Sequence, residues 1–173
     1  GLYYELGGEL KNALACYERA EKKSHVAQLL IRTAGRNPMD ALYQGTEKFY
    51  RALPEEIVLV YPELMSAMSM LCSVRNQPDE SERWYAALDA YVRDKSHSKG
   101  DRRNAEAMLC YLSISLPHRG TKDSLRNIFR IGQMMAGGDL HLAEVAATGR
   151  MPSIFNGGLD FACWSRHDRL IYA

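Results

Sequence analysis

Apolar residues recur along the chain at spacings of three and four, and no stretch alternates between apolar and polar residues as a half-buried strand does. The spacing predicts a chain of helices separated by turns at Gly, Asn-Pro and Gln-Pro positions. The predicted segments are the end of a first helix over 1–6 and helices over 9–22, 24–35, 40–52, 62–74, 79–93 and 101–116. A further helix is predicted over 121–136. From Asp139 the pattern loosens, with a short helix predicted over 140–147 and a last one from Leu159 onward.

Two of these segments share one pattern of turn, small and aromatic residues. A turn residue is followed five positions on by a small residue, and an aromatic and an apolar residue come four and seven positions after that. The first set is Gly8, Ala13, Tyr17 and Ala20, and the second is Asn76, Ser81, Tyr85 and Leu88. This is the packing pattern of tetratricopeptide (TPR) hairpins, and the separation of 68 residues is twice their period of about 34. The positions halfway between the two sets do not repeat the pattern. From the two matching sets and the helical spacing, we expect an all-α fold of antiparallel helical hairpins, stacked as a TPR-like right-handed superhelix.

Composition places the chain among folded globular proteins, with 46% apolar and 25% charged residues over 173 positions. The formal charge of +1 offers no overall attraction to nucleic acid or to an anionic membrane. A basic run between 93 and 103 is interpreted as a solvated loop, with a phosphate-binding patch as the alternative. The four cysteines, Cys16, Cys72, Cys110 and Cys163, lie far apart and are expected to be free thiols in a reducing cytoplasm.

The first residues have the pattern of a helix interior and no initiator Met precedes them, so a fragment of a longer chain is expected. We predict a single helical domain over 1–173. Within it, residues 1–95 form the better-defined hairpins and residues 100–173 form more divergent C-terminal helices.

Motifs for catalysis and cofactor binding are absent from the sequence: there is no GxxxxGK[ST], GxGxxG, GxSxG or HExxH pattern. Cys163 and His167, one helical turn apart, supply two metal ligands where structural zinc needs four. No metal, no cofactor and no catalytic residue is therefore predicted, and an enzyme is not expected. The string 115–120 places His118 and Arg119 in a constrained turn, which suits either an anion site or, more commonly, cations at a helix C-terminus.

Five strings carry a resemblance to one protein family: 2–8 (LYYELGG), 61–66 (YPELMS), 81–85 (SERWY), 116–120 (LPHRG) and 156–165 (NGGLDFACWS). They resemble the middle region of large bacterial LuxR-type transcriptional regulators, the ATP-dependent, MalT-like activators. In that family an NTPase module is followed by a helical region, a TPR-like superhelix and a C-terminal helix-turn-helix. The resemblance implies that this chain is the regulatory, signal-sensing segment between the nucleotide module and the DNA reader.

On this interpretation the expected partners are an unknown small-molecule inducer or a protein, together with the other domains of the same regulator. Direct contact with nucleic acid or with a membrane is not expected. The family supplies no motif-defined ligand residues for this segment, so the candidate ligand contacts are our own: His118, Arg119, Asn156, Asp160 and Trp164. The alternative function is a TPR-like scaffold that binds proteins and takes no small-molecule ligand.

Overall fold

The computed structural model describes residues 1–36, 45–116, 118 and 132–133. The helices of these parts are α1 (Leu2–Leu6), α2 (Leu10–Arg19), α3 (Lys23–Arg36), α4 (Glu47–Arg51), α5 (Glu55–Val58), α6 (Pro62–Val74), α7 (Pro78–Arg93) and α8 (Lys99–Ser115). No β-strand occurs among the described residues, which confirms the all-α class there. None of the helices in these parts is both long and apolar enough to cross a membrane.

Helix α6 is the centre of the fold. Its first residue is Pro62, which has no N–H to leave unpaired in a first turn, and every residue from Leu64 to Ser73 is buried. The helix packs against α3, α4, α5, α7 and α8, so it has almost no face left for solvent. The prediction that 62–74 is an apolar helix buried on most sides is confirmed.

The turns of the α1–α2 and α6–α7 hairpins share a backbone feature. Gly8 has φ 75° and Asn76 has φ 58°, so each turn passes through the left-handed region that glycine and asparagine tolerate best. The small residues that follow, Ala13 and Ser81, are both fully buried. The two hairpins therefore start alike. They end differently, because Leu88 is fully buried whereas Ala20 lies beyond the end of α2 and is exposed.

Several predicted boundaries differ from the structure. Helix α3 begins at Lys23 and ends at Arg36, so it extends one residue beyond the predicted range of 24–35 at each end. The helix predicted over 40–52 does not run unbroken, since Gly45 has φ 64° and α4 begins only at Glu47. Residues 37–44 and the helices predicted beyond Gly120 lie outside the described residues, apart from the helical pair 132–133.

Helix α8 begins two residues earlier than predicted because Ser98 caps it. The Ser98 hydroxyl accepts a hydrogen bond from the Asp101 backbone N–H at 3.1 Å and donates one to the Asp101 carboxylate at 2.7 Å. The loop between α7 and α8 is therefore short, and Arg102 and Arg103 of the basic run belong to the helix, where they are partly buried.

The cysteines within the described parts are free thiols, as predicted. Cys72 and Cys110 are buried and Cys16 is partly exposed. Cys163 lies outside the described residues.

Candidate functional site

His118 is the predicted ligand residue that the structure describes. Arg119, Asn156, Asp160 and Trp164 lie outside the described residues, so the predicted site is seen through this histidine alone. It follows the end of α8 by three residues and returns the chain to the α6–α7 hairpin.

Both ring nitrogens of His118 are hydrogen-bonded to side chains of that hairpin. Nδ1 lies 2.8 Å from the hydroxyl oxygen of Ser73, on the last turn of α6. Nε2 lies 2.7 Å from a carboxylate oxygen of Glu82, in the second turn of α7. Because a carboxylate only accepts, Nε2 carries the proton that it donates to Glu82. In the neutral ring, Nδ1 then accepts from the Ser73 hydroxyl.

Ser73, His118 and Glu82 are connected in the same order as the nucleophile, the base and the acid of a catalytic triad. The sequence motifs did not predict this arrangement. Among the described residues, however, Ser73 is only 7% exposed, so its hydroxyl is largely shielded from a substrate. The arrangement instead ties His118 to α6 and α7. With both nitrogens engaged and Glu82 beside it, His118 in this conformation does not offer a site for an anion.

A cleft lies on another side of the α6–α7 hairpin, where α4 and α5 meet it, and has a volume of about 310 Å³. We call it the Trp84 cleft. Its floor consists of the buried or half-buried residues Leu53, Val58, Met68, Cys72 and Trp84. Its mouth is formed by the exposed residues Arg51, Glu55, Gln77, Glu80 and Arg83. An apolar floor with a few charged groups around the mouth is the usual composition of a small-molecule site, and the volume is at the lower end of the range of roughly 300–1,000 Å³.

Arg83 spans the mouth of the Trp84 cleft. Its guanidinium carbon lies 4.4 Å from the centre of the Trp84 ring, so the charged group stacks on the aromatic floor. Its Nη1 donates to Glu55 of α5 at 2.8 Å, and its Nε donates to Glu80 of α7 at 3.1 Å. The side chains of all three residues are about half exposed, at 47%, 54% and 55%. Exposed pairs of this kind contribute little to stability, roughly 0–1 kcal/mol each.

Arg51, the second arginine at the mouth, has more firmly held partners. It donates through Nε to Glu47 at 2.9 Å and through Nη2 to the Gln77 side chain at 3.3 Å. The Glu47 carboxylate is only 20% exposed and also accepts two hydrogen bonds from Arg75, at 2.6 and 3.0 Å. Arg51 is thus tied to a three-residue ion cluster, whereas Arg83 is held by two exposed carboxylates.

Cys72 forms part of the cleft floor but is not a reactive thiol. Burial raises its pKa above the usual value, and the nearby charges of Arg51 and Arg83 oppose that effect only in part. A thiol with a raised pKa holds little thiolate, which is the nucleophilic form. Cys72 is therefore an apolar wall of the cleft.

Sequence reasoning did not find the Trp84 cleft. Glu55 and Arg83 are 28 residues apart, and Arg51 and Gln77 are 26 apart, so no local motif joins them. The one local signal was Arg83-Trp84 itself, an arginine beside an aromatic residue in a helix opened by acidic residues. The helix dipole accounts for acidic residues in the first turn, Asp79 and Glu80, but not for the contact of Arg83 with Glu55.

A second groove, of about 320 Å³, lies between α7 and α8. Its walls include Tyr85, Val92, Leu109 and the buried Cys110, and the ion pair of Arg93 with Asp89, 2.6 Å long, lies at its edge. Among its described lining residues, no arginine is held over an aromatic ring. The Trp84 cleft is therefore the stronger candidate site.

Comparison with protein families, with curated proteins and with solved structures found no match to this chain.

Proposed function

We propose that this chain is a regulatory, signal-sensing helical domain of a bacterial LuxR-type, MalT-like transcriptional regulator, working in the cytoplasm. It takes up an inducer and transmits that event to NTPase and DNA-binding modules of the same regulator. The proposal assigns no catalysis to the domain. Its family assignment is supported by the five resembling strings described above, and its TPR-like stacking by the two hairpins that begin alike.

The observation that carries the sensing role is the Trp84 cleft. A flat, charged groove favours a peptide or a protein surface, whereas a concave apolar floor with a few charged groups around it favours a small molecule. The cleft combines apolar residues at its base, among them Leu53 and Met68, with charged side chains at its mouth, and this combination supports a small-molecule ligand.

Helix α7 links the Trp84 cleft to His118, and this link is the proposed route by which ligand binding is transmitted. Helix α7 supplies Arg83 and Trp84 to the cleft and, one residue before, Glu82 to His118. A ligand that prefers one position of α7 changes the position of Glu82 as well. It therefore biases the position of His118, which hydrogen-bonds to Glu82. A ligand shifts such an equilibrium by its difference in affinity for the two arrangements, and by no more.

A thermal-shift screen of the chain against sugars, nucleotides, amino acids and small phenolic compounds tests the sensing role. A ligand at about 100 times its dissociation constant adds roughly 2.7 kcal/mol, which is about 5–10 °C of melting temperature for a domain of this size. A saturable shift supports the proposal and identifies the inducer class. The absence of a shift across the library contradicts small-molecule sensing.

A protein-binding scaffold is the second candidate function, and exposed apolar residues favour it. Leu2, Tyr3 and Leu6 of α1 are 64%, 82% and 81% exposed, and the run from Leu59 to Tyr61 is 40–57% exposed. Apolar groups grouped in this way are typical of surfaces that contact other proteins. A screen without any shift, together with binding of other domains of the regulator that is lost in Tyr3→Ser and Leu6→Ser, supports the scaffold.

A further inference from the structure

We propose that the Trp84 cleft binds small aromatic carboxylates, with Arg83 exchanging an internal glutamate for the carboxylate of the ligand. The inference rests on the proposed sensing function and names the ligand class of its site. Three observations carry it: the stacking of Arg83 on Trp84, the weakness of its present ion pairs, and the apolar floor beneath it.

The stacking fixes where the donors of Arg83 point. The guanidinium carbon lies 4.4 Å from the centre of the Trp84 ring, and Nε and Nη1 donate to Glu80 and Glu55 at the mouth of the cleft. That arrangement presents a fork that matches the two oxygens of a carboxylate. A lysine at this position offers only a point charge, so geometry as well as charge determines what binds.

The present partners of Arg83 are placed to be exchanged. Glu55 and Glu80 are more than half exposed, so each carboxylate returns to water with little loss when a ligand takes its place. Glu80 also lies in the first turn of the 16-residue helix α7, where a negative charge interacts favourably with the helix dipole even without Arg83. The ion cluster of Arg51, Glu47 and Arg75 stays in place during this exchange because Glu47 is mostly buried.

The floor selects the body of the ligand. The half-buried Leu53 and the Met68 thioether line the floor beside the Trp84 ring, which Arg83 covers, and an aromatic ring packed there gains apolar and sulfur contact. The volume of about 310 Å³ accommodates one ring with its carboxylate. A cation is disfavoured, because Arg83 already occupies the place between the two glutamates that a cation would need.

Isothermal titration calorimetry of the chain with benzoate tests the proposal, with benzamide and benzylamine as uncharged and cationic counterparts. We expect benzoate to bind with a dissociation constant on the order of 1 mM, as befits a ligand of this size. We expect benzamide to bind at least about tenfold more weakly and benzylamine not to bind.

Two variants change the affinity in opposite directions. Arg83→Gln should weaken benzoate binding about tenfold or more, because the charged fork is lost. Glu80→Gln should strengthen it by up to about fivefold, because the internal competitor loses its charge. Arg93→Gln is the matched control: it lies on the same helix, pairs with Asp89 and is outside the cleft, so it should leave the affinity unchanged. Far-UV circular dichroism verifies that each variant is folded, and Glu80→Gln keeps the test decisive if Arg83→Gln unfolds.

Each contrary result overturns the proposal in a recognisable way. Benzylamine binding that Glu80→Gln abolishes makes the cleft a cation site. Benzoate binding that Arg83→Gln leaves unchanged places the ligand elsewhere. If benzoate does not bind but another compound raises the melting temperature equally in the parent chain and in Arg83→Gln, the ligand class fails while the sensing function stands. If nothing in either experiment binds, both fail.

Discussion

Ser69 of α6 and Ser81 of α7 hydrogen-bond to each other's backbone. The Ser69 hydroxyl donates to the Ser81 carbonyl at 3.0 Å, and the Ser81 hydroxyl donates to the Ser69 carbonyl at 2.8 Å. Both residues are fully buried. A small side chain allows the helices to approach closely, and the reciprocal bonds satisfy two hydroxyls that burial would otherwise leave without water. The pair therefore sets the spacing of the central hairpin.

Size matters more than polarity at Ser81. We expect Ser81→Ala to lower the free energy of unfolding by about 1 kcal/mol, since one hydrogen bond is lost and the helix spacing is kept. Ser81→Leu should cost more, about 3 kcal/mol, because the added side chain forces α6 and α7 apart. Urea denaturation measures both, with the exposed Ser24→Ala of α3 as a control that stays within about 0.5 kcal/mol. Equal effects of alanine and leucine would contradict the spacing argument.

His118 is predicted to stabilise the fold through Glu82. We expect His118→Ala and Glu82→Gln each to lower the free energy of unfolding by about 1–2 kcal/mol at neutral pH, because hydrogen bonds between the segment after α8 and the hairpin are lost. The double variant should cost less than the sum of the two, and the difference gives their coupling energy. Fully additive effects would mean that the 2.7 Å contact contributes nothing.

Gly7 and Gly8 are neighbours with opposite backbone requirements. Gly8 has φ 75°, and a Cβ there would have no atom within 4 Å, so any cost of alanine comes from the backbone alone. Gly7 has φ −78°, and a Cβ there would lie 3.5 Å from the Tyr3 carbonyl oxygen, an ordinary contact. Alanine at position 8 therefore strains the backbone, whereas alanine at position 7 does not.

We therefore expect Gly8→Ala to destabilise the chain by about 1–2 kcal/mol and Gly7→Ala to stabilise it by about 0.4–1 kcal/mol. Asn76→Gly tests the same idea at the second turn, where φ is 58°. Glycine removes backbone strain from the folded chain but makes the unfolded chain more flexible, so the two effects on the free energy of unfolding should nearly cancel. Thermal and urea unfolding of the three variants measure these effects. Stabilisation by Gly8→Ala would show that the α1–α2 turn does not hold the left-handed backbone.

The sequence pattern predicted the central hairpin well for physical reasons. Helix α6 has the bounds that were predicted, 62–74, because Pro62 starts it and an almost continuous apolar run fills it. Helix α7 begins one residue earlier than predicted, at Pro78, since Gln77 takes the cap position. Local signals of this kind, a proline at the first position and a hydrophobic periodicity, are contained within a single element.

The candidate sites depend on contacts that no local signal records. His118 meets Ser73 and Glu82 across 45 and 36 residues, and Arg83 meets Glu55 across 28. Helical periodicity fixes which face a side chain takes but not which element lies opposite. The break at Gly45 was missed for a related reason: Leu42, Tyr43 and Phe49 keep helical spacing across it, and spacing alone does not reveal a left-handed residue.

Glu47 joins two arginines from different parts of the chain. One carboxylate oxygen accepts from Arg51 of the same helix, and the other accepts from Arg75 at the end of α6. The hydrogen bonds from Arg75 lower the pKa of Glu47 below its usual value of 4.5. Partial burial opposes this shift, and the bond from Arg51 adds to it. The folded chain thus holds this carboxylate charged at lower pH than the unfolded chain does.

This lowered pKa makes the contribution of Glu47 to stability depend on pH. A group whose pKa is depressed by folding stabilises the fold fully above its unfolded value, and the benefit is lost as the pH falls through the folded value. We expect Glu47→Gln to lower the free energy of unfolding by about 1 kcal/mol near neutral pH, with the difference shrinking as the pH falls below about 4.5. Urea denaturation from about pH 7 to about pH 3 measures this difference. Glu56→Gln, at an exposed position on α5, controls for the change in net charge and should show a smaller difference. A difference between Glu47→Gln and the parent chain that stays constant across this range would mean that the carboxylate gains nothing from Arg75 and Arg51.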